Sequence, residues 1–362
     1  MKKQCTLIIS HSCNLNCIYC YEKFKSNKLM SFDTAKKIIT HEIESLDNTR
    51  YNGLEFNFIG GEPLTNFSLI KSVCEWAIKF EKIHFNIITN GTMFNDENME
   101  WFEHYKKFIR VDVSVDGINS IQQTNRGCCV SDIPIDWISK NWSNNRYKMT
   151  ISKKSLSDYA NSLIHLEDNG FETMPSLAVG ENWNEFDAKI YSQQLSKITN
   201  HFLSKPINQI PSFLLQSIDS LFEKQDYIYK SCQTGDSSIT YDIDGAIYPC
   251  ILFSPLVINK TNDNWKNINF NDLSQFEDKE CSNCFIKNMC KTCYGYNYLR
   301  TGTICTKDKR MCAMYKTEIY HIANFQKQLI ENTIDKFNPS EIEIKRLNRV
   351  NIILNELNNS YE

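Results

Sequence analysis

No apolar stretch in this 362-residue chain approaches the roughly 20 residues that a membrane span needs. Lys2 and Lys3 precede only a short apolar run at residues 6–9, far shorter than the apolar core of a secretory signal. Basic charge is not in excess: the formal net charge is -3, which excludes a global nucleic-acid-binding surface. Glycine is scarce, at 12 residues, alongside abundant Lys, Asn and Ile; that bias reflects base composition more than function. What the chain does have is an apolar fraction of 41%, enough for a sizeable core, and fifteen cysteines. Many cysteines without an export signal indicate metal binding in a reducing compartment, here the cytoplasm, rather than disulfides.

Three of those cysteines lie within the stretch HSCNLNCIYCYE at residues 11–22, where Cys13, Cys17 and Cys20 have C-x3-C-x2-C spacing. Three thiolates so placed can hold three corners of a cubane iron–sulfur cluster and leave its fourth iron open to an outside ligand. The competing reading is structural zinc, which needs four closed ligands and would have to recruit a residue such as His11.

The surrounding pattern alternates between strand and helix. Strands are expected at 5–10, 54–59, 84–89, 109–115, 146–151 and 172–179. Helices are expected at 33–47, 66–80, 95–107, 132–144, 155–167 and 184–203. Such alternation implies βα units around a parallel sheet, with about six units before residue 200, hence an α/β fold built as a partial (β/α)6 barrel. The glycine-rich and polar pieces follow strands, at the rim where such sheets carry their chemistry.

The segment C-N-L-N-C-x-Y-C-Y-E resembles the cluster loop of the radical S-adenosylmethionine enzymes, whose core is a (β/α)6 partial barrel. In that superfamily S-adenosylmethionine chelates the open iron of a [4Fe-4S] cluster. One electron cleaves its sulfonium, and the resulting 5′-deoxyadenosyl radical takes hydrogen from the substrate. The resemblance assigns Cys13, Cys17 and Cys20 to the cluster, and Gly60-Gly61-Glu62-Pro63 to the family's GGEP element, whose carbonyls and Glu62 would hold the cofactor's ammonium group. Asn90 would reach the ribose, Ser114 the cofactor carboxylate and Arg126 the same carboxylate, with Tyr19 on the adenine. Asp116 is a candidate catalytic base or a turn cap. Cys5 and Cys74 read as buried apolar residues, and Cys128-Cys129 as loop thiols or a substrate-proximal pair.

A second cysteine system begins at Cys232. A hairpin turning at Asp244-Gly245 leads to Cys250, and then come Cys281-x2-Cys284-x5-Cys290-x2-Cys293 and Cys312. This order resembles the SPASM extension of the same enzymes, which binds two auxiliary clusters. Carried over by position, Cys232, Cys250 and Cys293 would hold the first, and Cys281, Cys284, Cys290 and Cys312 the second, giving three [4Fe-4S] clusters in all. The family usually has C-x3-C where this chain has Cys290-x2-Cys293. No cysteine lies at 233–249 to complete the first auxiliary cluster, so either an iron stays open or Cys305 fills it. The C-x2-C pairs by themselves suit zinc equally.

The expected division is a radical S-adenosylmethionine core at 1–205, a bridge at 206–230, a cysteine-rich iron–sulfur domain at 231–320 and C-terminal helices at 321–362. One helix runs on from Cys312 to about 335. The last is amphipathic through Ile342, Ile344, Leu347, Val350, Ile353 and Leu354, to pack on the core or to dock a peptide. The first strand starts so close to residue 1 that a leader peptide would dock on the core, on the last helix or on a separate protein. The resulting expectation is an enzyme maturing a ribosomally made precursor peptide by carbon–sulfur or carbon–carbon cross-linking. Flavodoxin or ferredoxin would donate electrons, with no nucleic-acid or membrane partner. The alternatives are a sulfatase-maturing formylglycine-generating enzyme with Asp116 as base, and a non-catalytic zinc scaffold.

Overall fold

The computed structural model describes residues 1–143, 145–223, 230–258, 264–334 and 339–358. In chain order the elements are β1 (Lys3–Ser10), α1 (Phe32–Glu44), β2 (Leu54–Gly60), α2 (Phe67–Ala77), β3 (Ile83–Thr89), α3 (Asp96–Tyr105), β4 (Ile109–Val113), α4 (Asn119–Arg126), α5 (Ile135–Asn141), β5 (Tyr147–Ile151), α6 (Tyr159–Asp168), β6 (Thr173–Leu177), α7 (Glu185–Phe202), β7 (Ser238–Tyr241), β8 (Ile247–Tyr248), α8 (Tyr294–Thr301), α9 (Cys312–Thr333) and α10 (Glu341–Asn358). Every expected strand and helix before residue 205 has its counterpart. The expected helix at 132–144 is the shorter α5, and residue 144 lies outside the described residues, as does the 335 end expected for α9. Helix α4 has no counterpart among the expected elements.

Local chemistry explains most of the boundaries. Ser31 caps α1 through Thr34 N–H at 3.1 Å, and Asn95 and Asn98 cap α3 reciprocally. Gly127, at φ +75°, closes α4 in the left-handed conformation that glycine adopts without Cβ strain.

Two compact units emerge: 1–150 with 233–275, and 151–232 with 276–362. The sheet of the first unit has the order β4-β3-β2-β1-β7-β8, parallel except for the β7–β8 hairpin. The hairpin expected in the cysteine-rich domain thus extends the barrel sheet, with Gln4 to Leu7 paired to Ser238 to Tyr241. A buried carboxylate secures this joint: Glu42 of α1 accepts from Lys3 Nζ at 2.6 Å and from the Tyr241 hydroxyl. Stacked Phe56, Phe58 and Phe85 fill the core behind the sheet. The C-terminal ends of β1, β2, β3 and β4 lead directly into the cysteine loop, GGEP, Asn90 and Ser114.

In the second unit α9 packs against α7 and α10. Val350, Ile353, Leu354 and Leu357 form the buried face of α10, while Ile342 and Ile344 are exposed, so the apolar stripe read from the sequence is only partly used. No helix among the described residues is long and apolar enough to cross a membrane.

Candidate active site

The cysteine loop is a closed excursion from the end of β1. His11 N–H donates to Lys28 O and His11 O accepts from Ser26 N–H, while Met30 N–H reaches Ile9 O. Residues 12–25 are therefore pinched off by a short ladder. Cys13, Cys17 and Cys20 are all reduced and partly exposed on this loop. Burial pushes the Cys17 thiol up to about 11, with Cys20 and Cys13 adding to the shift against the Arg126 charge. Burial likewise raises Cys13. Thiols held this high keep their protons until a metal displaces them. Lys25 bonds Leu15 O at 3.3 Å; burial opposes its charge, but Cys20, Cys13 and Glu22 outweigh it. A retained ammonium here reduces the repulsion between thiolates gathered on one cluster. Glu22 is pushed up to about 7 by burial, and Glu62 adds to this against Lys25. His11 Nε2 lies 2.6 Å from Asp242 Oδ1, and its Nδ1 lies 3.4 Å from Ser26 Oγ.

The glycines of GGEP also make room for the cluster loop. A Cβ at Gly60 would stand 2.0 Å from Ser10 O, and one at Gly61 would stand 2.4 Å from Ser12 O. It is the cluster loop's own backbone that comes close: Gly61 N–H donates to Ser10 O at 3.0 Å and Glu62 N–H to Ser12 O at 2.7 Å. Gly61→Ala is expected to cost about 1–3 kcal/mol of stability, because the added methyl meets backbone rather than a side chain that can swing away. It should also weaken S-adenosylmethionine binding, measured by equilibrium dialysis, since Cys13 Cβ lies 2.9 Å from the new atom.

Glu62 is buried at 1% exposure. Its Oε1 accepts from Leu64 N–H at 3.0 Å and from Thr89 Oγ1 at 2.6 Å, and its Oε2 accepts from Asn90 N–H at 2.8 Å. Burial raises its pKa, and those three donors partly offset the rise. A carboxylate offers about four acceptor positions, so one at Oε2 stays available for an outside ammonium.

Asp116 presents the opposite case. Its Oδ1 accepts from Arg126 Nη2 at 3.0 Å and Thr150 N–H at 2.9 Å, and its Oδ2 from the Tyr19 hydroxyl at 2.6 Å and Asn125 Nδ2 at 3.1 Å. All four acceptor positions are taken and the residue is 1% exposed. Burial works against the Arg126 charge, but Asp116 and Tyr19 outweigh it and keep the guanidinium charged. Burial also keeps Tyr19 protonated, with its ring 5.5 Å from the Arg126 guanidinium. Tyr19 of the cluster loop thus joins the buried Asp116 and Arg126 in one hydrogen-bonded cluster. Arg126 Nε has no hydrogen-bond partner among the described residues, which leaves one donor for a ligand carboxylate.

Asn90 is committed to its own loop. Its Nδ2 donates to Asn14 Oδ1 at 2.9 Å, and its Oδ1 accepts from Thr92 N–H and Oγ1. Ser114 bridges β4 to Lys148 of β5, with its N–H on Thr89 O. Sequence reasoning overlooked Thr89 and Asn14, whose contacts to Glu62 and Asn90 span 27 and 76 positions and leave no local signature, and Asn125, which reaches Asp116 across 9 positions. Cys5 and Cys74 are buried as expected, and Cys128 accepts from Gln122, whose Oε1 takes Asp116 N–H.

The second unit gathers most of the later cysteines. Cys290 lies in the field of Cys312 and Cys284, and Cys312 in the field of Cys281 and Cys284. Cys293 lies in the field of Cys232 instead. Burial pushes both Cys290 and Cys293 up to about 11. Lys309 reaches Cys281 Sγ at 3.2 Å and is held there by Asp278 and Glu280 at 3.3 Å. Cys305 sits in a turn with its sulfur 3.6 Å from Thr303 Oγ1. Among the described residues no three His, Cys, Asp or Glu side chains converge as on a single metal ion.

The sequence profile described as the Radical SAM superfamily matches residues 7–189, and the chain belongs to that superfamily. Enzymes of this family bind a [4Fe-4S] cluster and S-adenosylmethionine. The chain is similar to the radical SAM cyclopropyl synthase TigE of Paramaledivibacter caminithermalis, at 23% identity over 92% of this chain and 76% of that protein. It is also similar to the subtilosin biosynthesis protein AlbA of Bacillus subtilis, at 31% identity over 33% of this chain and 25% of that protein. Among solved structures, anSMEcpe with bound AdoMet and the Cp18Cys peptide aligns with TM-score 0.67 and 17% identity, covering 91% of this chain and 100% of that one. Streptococcus suis SuiB bound to its precursor peptide SuiA aligns with TM-score 0.56 and 15% identity, covering 86% and 76%. The fold is the α/β partial barrel followed by a cysteine-rich region, and the protein is an enzyme with peptide-modifying relatives.

Proposed function

We propose that this enzyme matures a ribosomally made precursor peptide by hydrogen abstraction from a side chain and oxidative C–S or C–C cross-linking. The observation that carries the reading is the pooling of Cys281, Cys284, Cys290 and Cys312 in the second unit, in addition to the first three cysteines. A cross-link is a two-electron oxidation, and clusters beyond the first supply a place for the product-forming electron. In this assignment Cys13, Cys17 and Cys20 hold the cluster with the open iron. Cys281, Cys284, Cys290 and Cys312 hold a closed one, and Cys232, Cys250 and Cys293 hold another by sequence pattern. When bound, the cluster and S-adenosylmethionine supply one-electron reductive cleavage and a hydrogen-abstracting radical.

The chain's own groups then do the positioning. Glu62 keeps one acceptor for the ammonium, and Arg126 offers its unpartnered Nε to the carboxylate. Gly60 and Gly61 admit the cluster loop to the same rim. Asn90 and Ser114 line the rim from the ends of β3 and β4. A low-potential donor such as flavodoxin or ferredoxin would supply the electron, in the cytoplasm, where thiols stay reduced.

Anaerobic turnover with dithionite, S-adenosylmethionine and candidate cysteine-containing precursor peptides tests the reading by mass spectrometry. The expected product has lost two hydrogen atoms and gained a fragment bridging two residues. Unchanged peptide mass, or an aldehyde formed only on a C-x-P-x-R sulfatase peptide, would sink it. The sulfatase reading needs Asp116 as a base, and the four donors on that carboxylate weigh against it.

A further inference from the structure

One buried pair near the cysteine loop has no part in the chemistry above. His11 and Asp242 are 5% and 2% exposed and stand 231 positions apart. His11 is the hinge of the loop: its backbone N–H and C=O bond Lys28 and Ser26, the two residues through which the loop returns. Asp242 follows β7 and closes the hairpin turn, accepting Gly245 N–H at 2.9 Å and donating its own N–H to Ala246 O at 2.9 Å. The imidazole Nε2 meets Asp242 Oδ1 at 2.6 Å, and Nδ1 lies 3.4 Å from Ser26 Oγ. A cavity of about 450 Å³ opens beside the pair, lined by Phe24, Ser26, Lys28, Asp244 and Ile258 as well as the pair itself. With open space on that side, close packing does not fix the ring; its hydrogen bonds do.

We propose that His11 and Asp242 are positioning residues that tie the neck of the cluster loop to the β7–β8 hairpin and keep the loop closed over its cluster. The bond couples the residue two before Cys13 to the hairpin that leads to Cys250. With the tie cut, the neck opens toward the cavity and the cluster becomes accessible to chelators from that side. This inference rests on the assignment of a cluster to Cys13, Cys17 and Cys20.

The test follows iron release from anaerobically reconstituted full-length protein into bathophenanthroline disulfonate. Asp242→Ala should release about a third of the iron, the share of one cubane in three, on the order of tenfold faster than wild type. Asp242→Asn, which keeps an oxygen for His11, should restore slow release. Adding Cys13/Cys17/Cys20→Ala to Asp242→Ala should remove the fast fraction. Unchanged release in Asp242→Ala, equal acceleration of all iron, or an Asp242→Asn that behaves like Asp242→Ala overturns the inference. Iron content indifferent to the triple cysteine change would instead overturn the cluster assignment beneath it.

Discussion

Replacing Cys13, Cys17 and Cys20 together by alanine is expected to lower iron from about twelve to about eight atoms per chain and to abolish 5′-deoxyadenosine formation. The remaining irons should stay, because none of the seven later cysteines assigned to the other two clusters lies on the loop. The three alanines remove only weak contacts, Leu15 N–H to Cys13 Sγ at 3.5 Å and Cys20 Sγ to Glu22 O at 3.9 Å, and the Lys25 interaction with Cys20. The variant should therefore fold. Iron and labile sulfide assays beside chromatographic 5′-deoxyadenosine quantitation check this. A triple variant with all twelve irons, or one still cleaving S-adenosylmethionine, would move the open cluster to other cysteines. Zinc without iron would remove the radical chemistry from this chain.

Asp116→Ala carries the second large effect, a loss of about 3–5 kcal/mol from the first unit. Among the described residues the carboxylate is the only ion-pair partner of the buried Arg126 guanidinium, and it also holds Tyr19, Asn125 and the Thr150 N–H. Its removal strands a charge and three donors away from water. Asp116→Asn should fare little better, since its amide would turn N–H groups toward two of those donors. Urea unfolding followed by tryptophan fluorescence measures the loss. Both variants should lower S-adenosylmethionine cleavage and peptide product in the same proportion, because Tyr19 and Arg126 shift together beside Cys17. A folded Asp116→Asn that cleaves S-adenosylmethionine at full rate yet makes no product would instead establish Asp116 as a substrate base.

Much of the fold was legible because its signals are local. Alternation over five to eight residues marks β1 to β4, and the polar residues closing each strand mark the rim. The hairpin turn at Asp244-Gly245 was also readable, with Gly245 at φ +86°. Its place beside β1 was not, because strand pairing across more than 230 positions is decided by which open sheet edge the hairpin meets.

At the candidate site the spacing of Cys13, Cys17 and Cys20 and the order of the later cysteines stand in the sequence itself, since ligand spacing along a short loop is a local property. The residue types Glu62, Asp116 and Arg126 were visible too, but their capacities were not. Glu62 and Asp116 are both buried carboxylates at strand ends. One has three donors and the other four, and that difference arises from Thr89, Asn90, Asn125 and Thr150 brought in from other elements. His11 read as a possible ligand, but its partner Asp242, 231 positions away and 2.6 Å distant in the fold, was not visible. The sequence by itself determined how the cysteines are spaced and in what order they occur. Tertiary structure alone decided which polar groups are already satisfied, because hydrogen-bond saturation is a property of the neighbours that folding supplies.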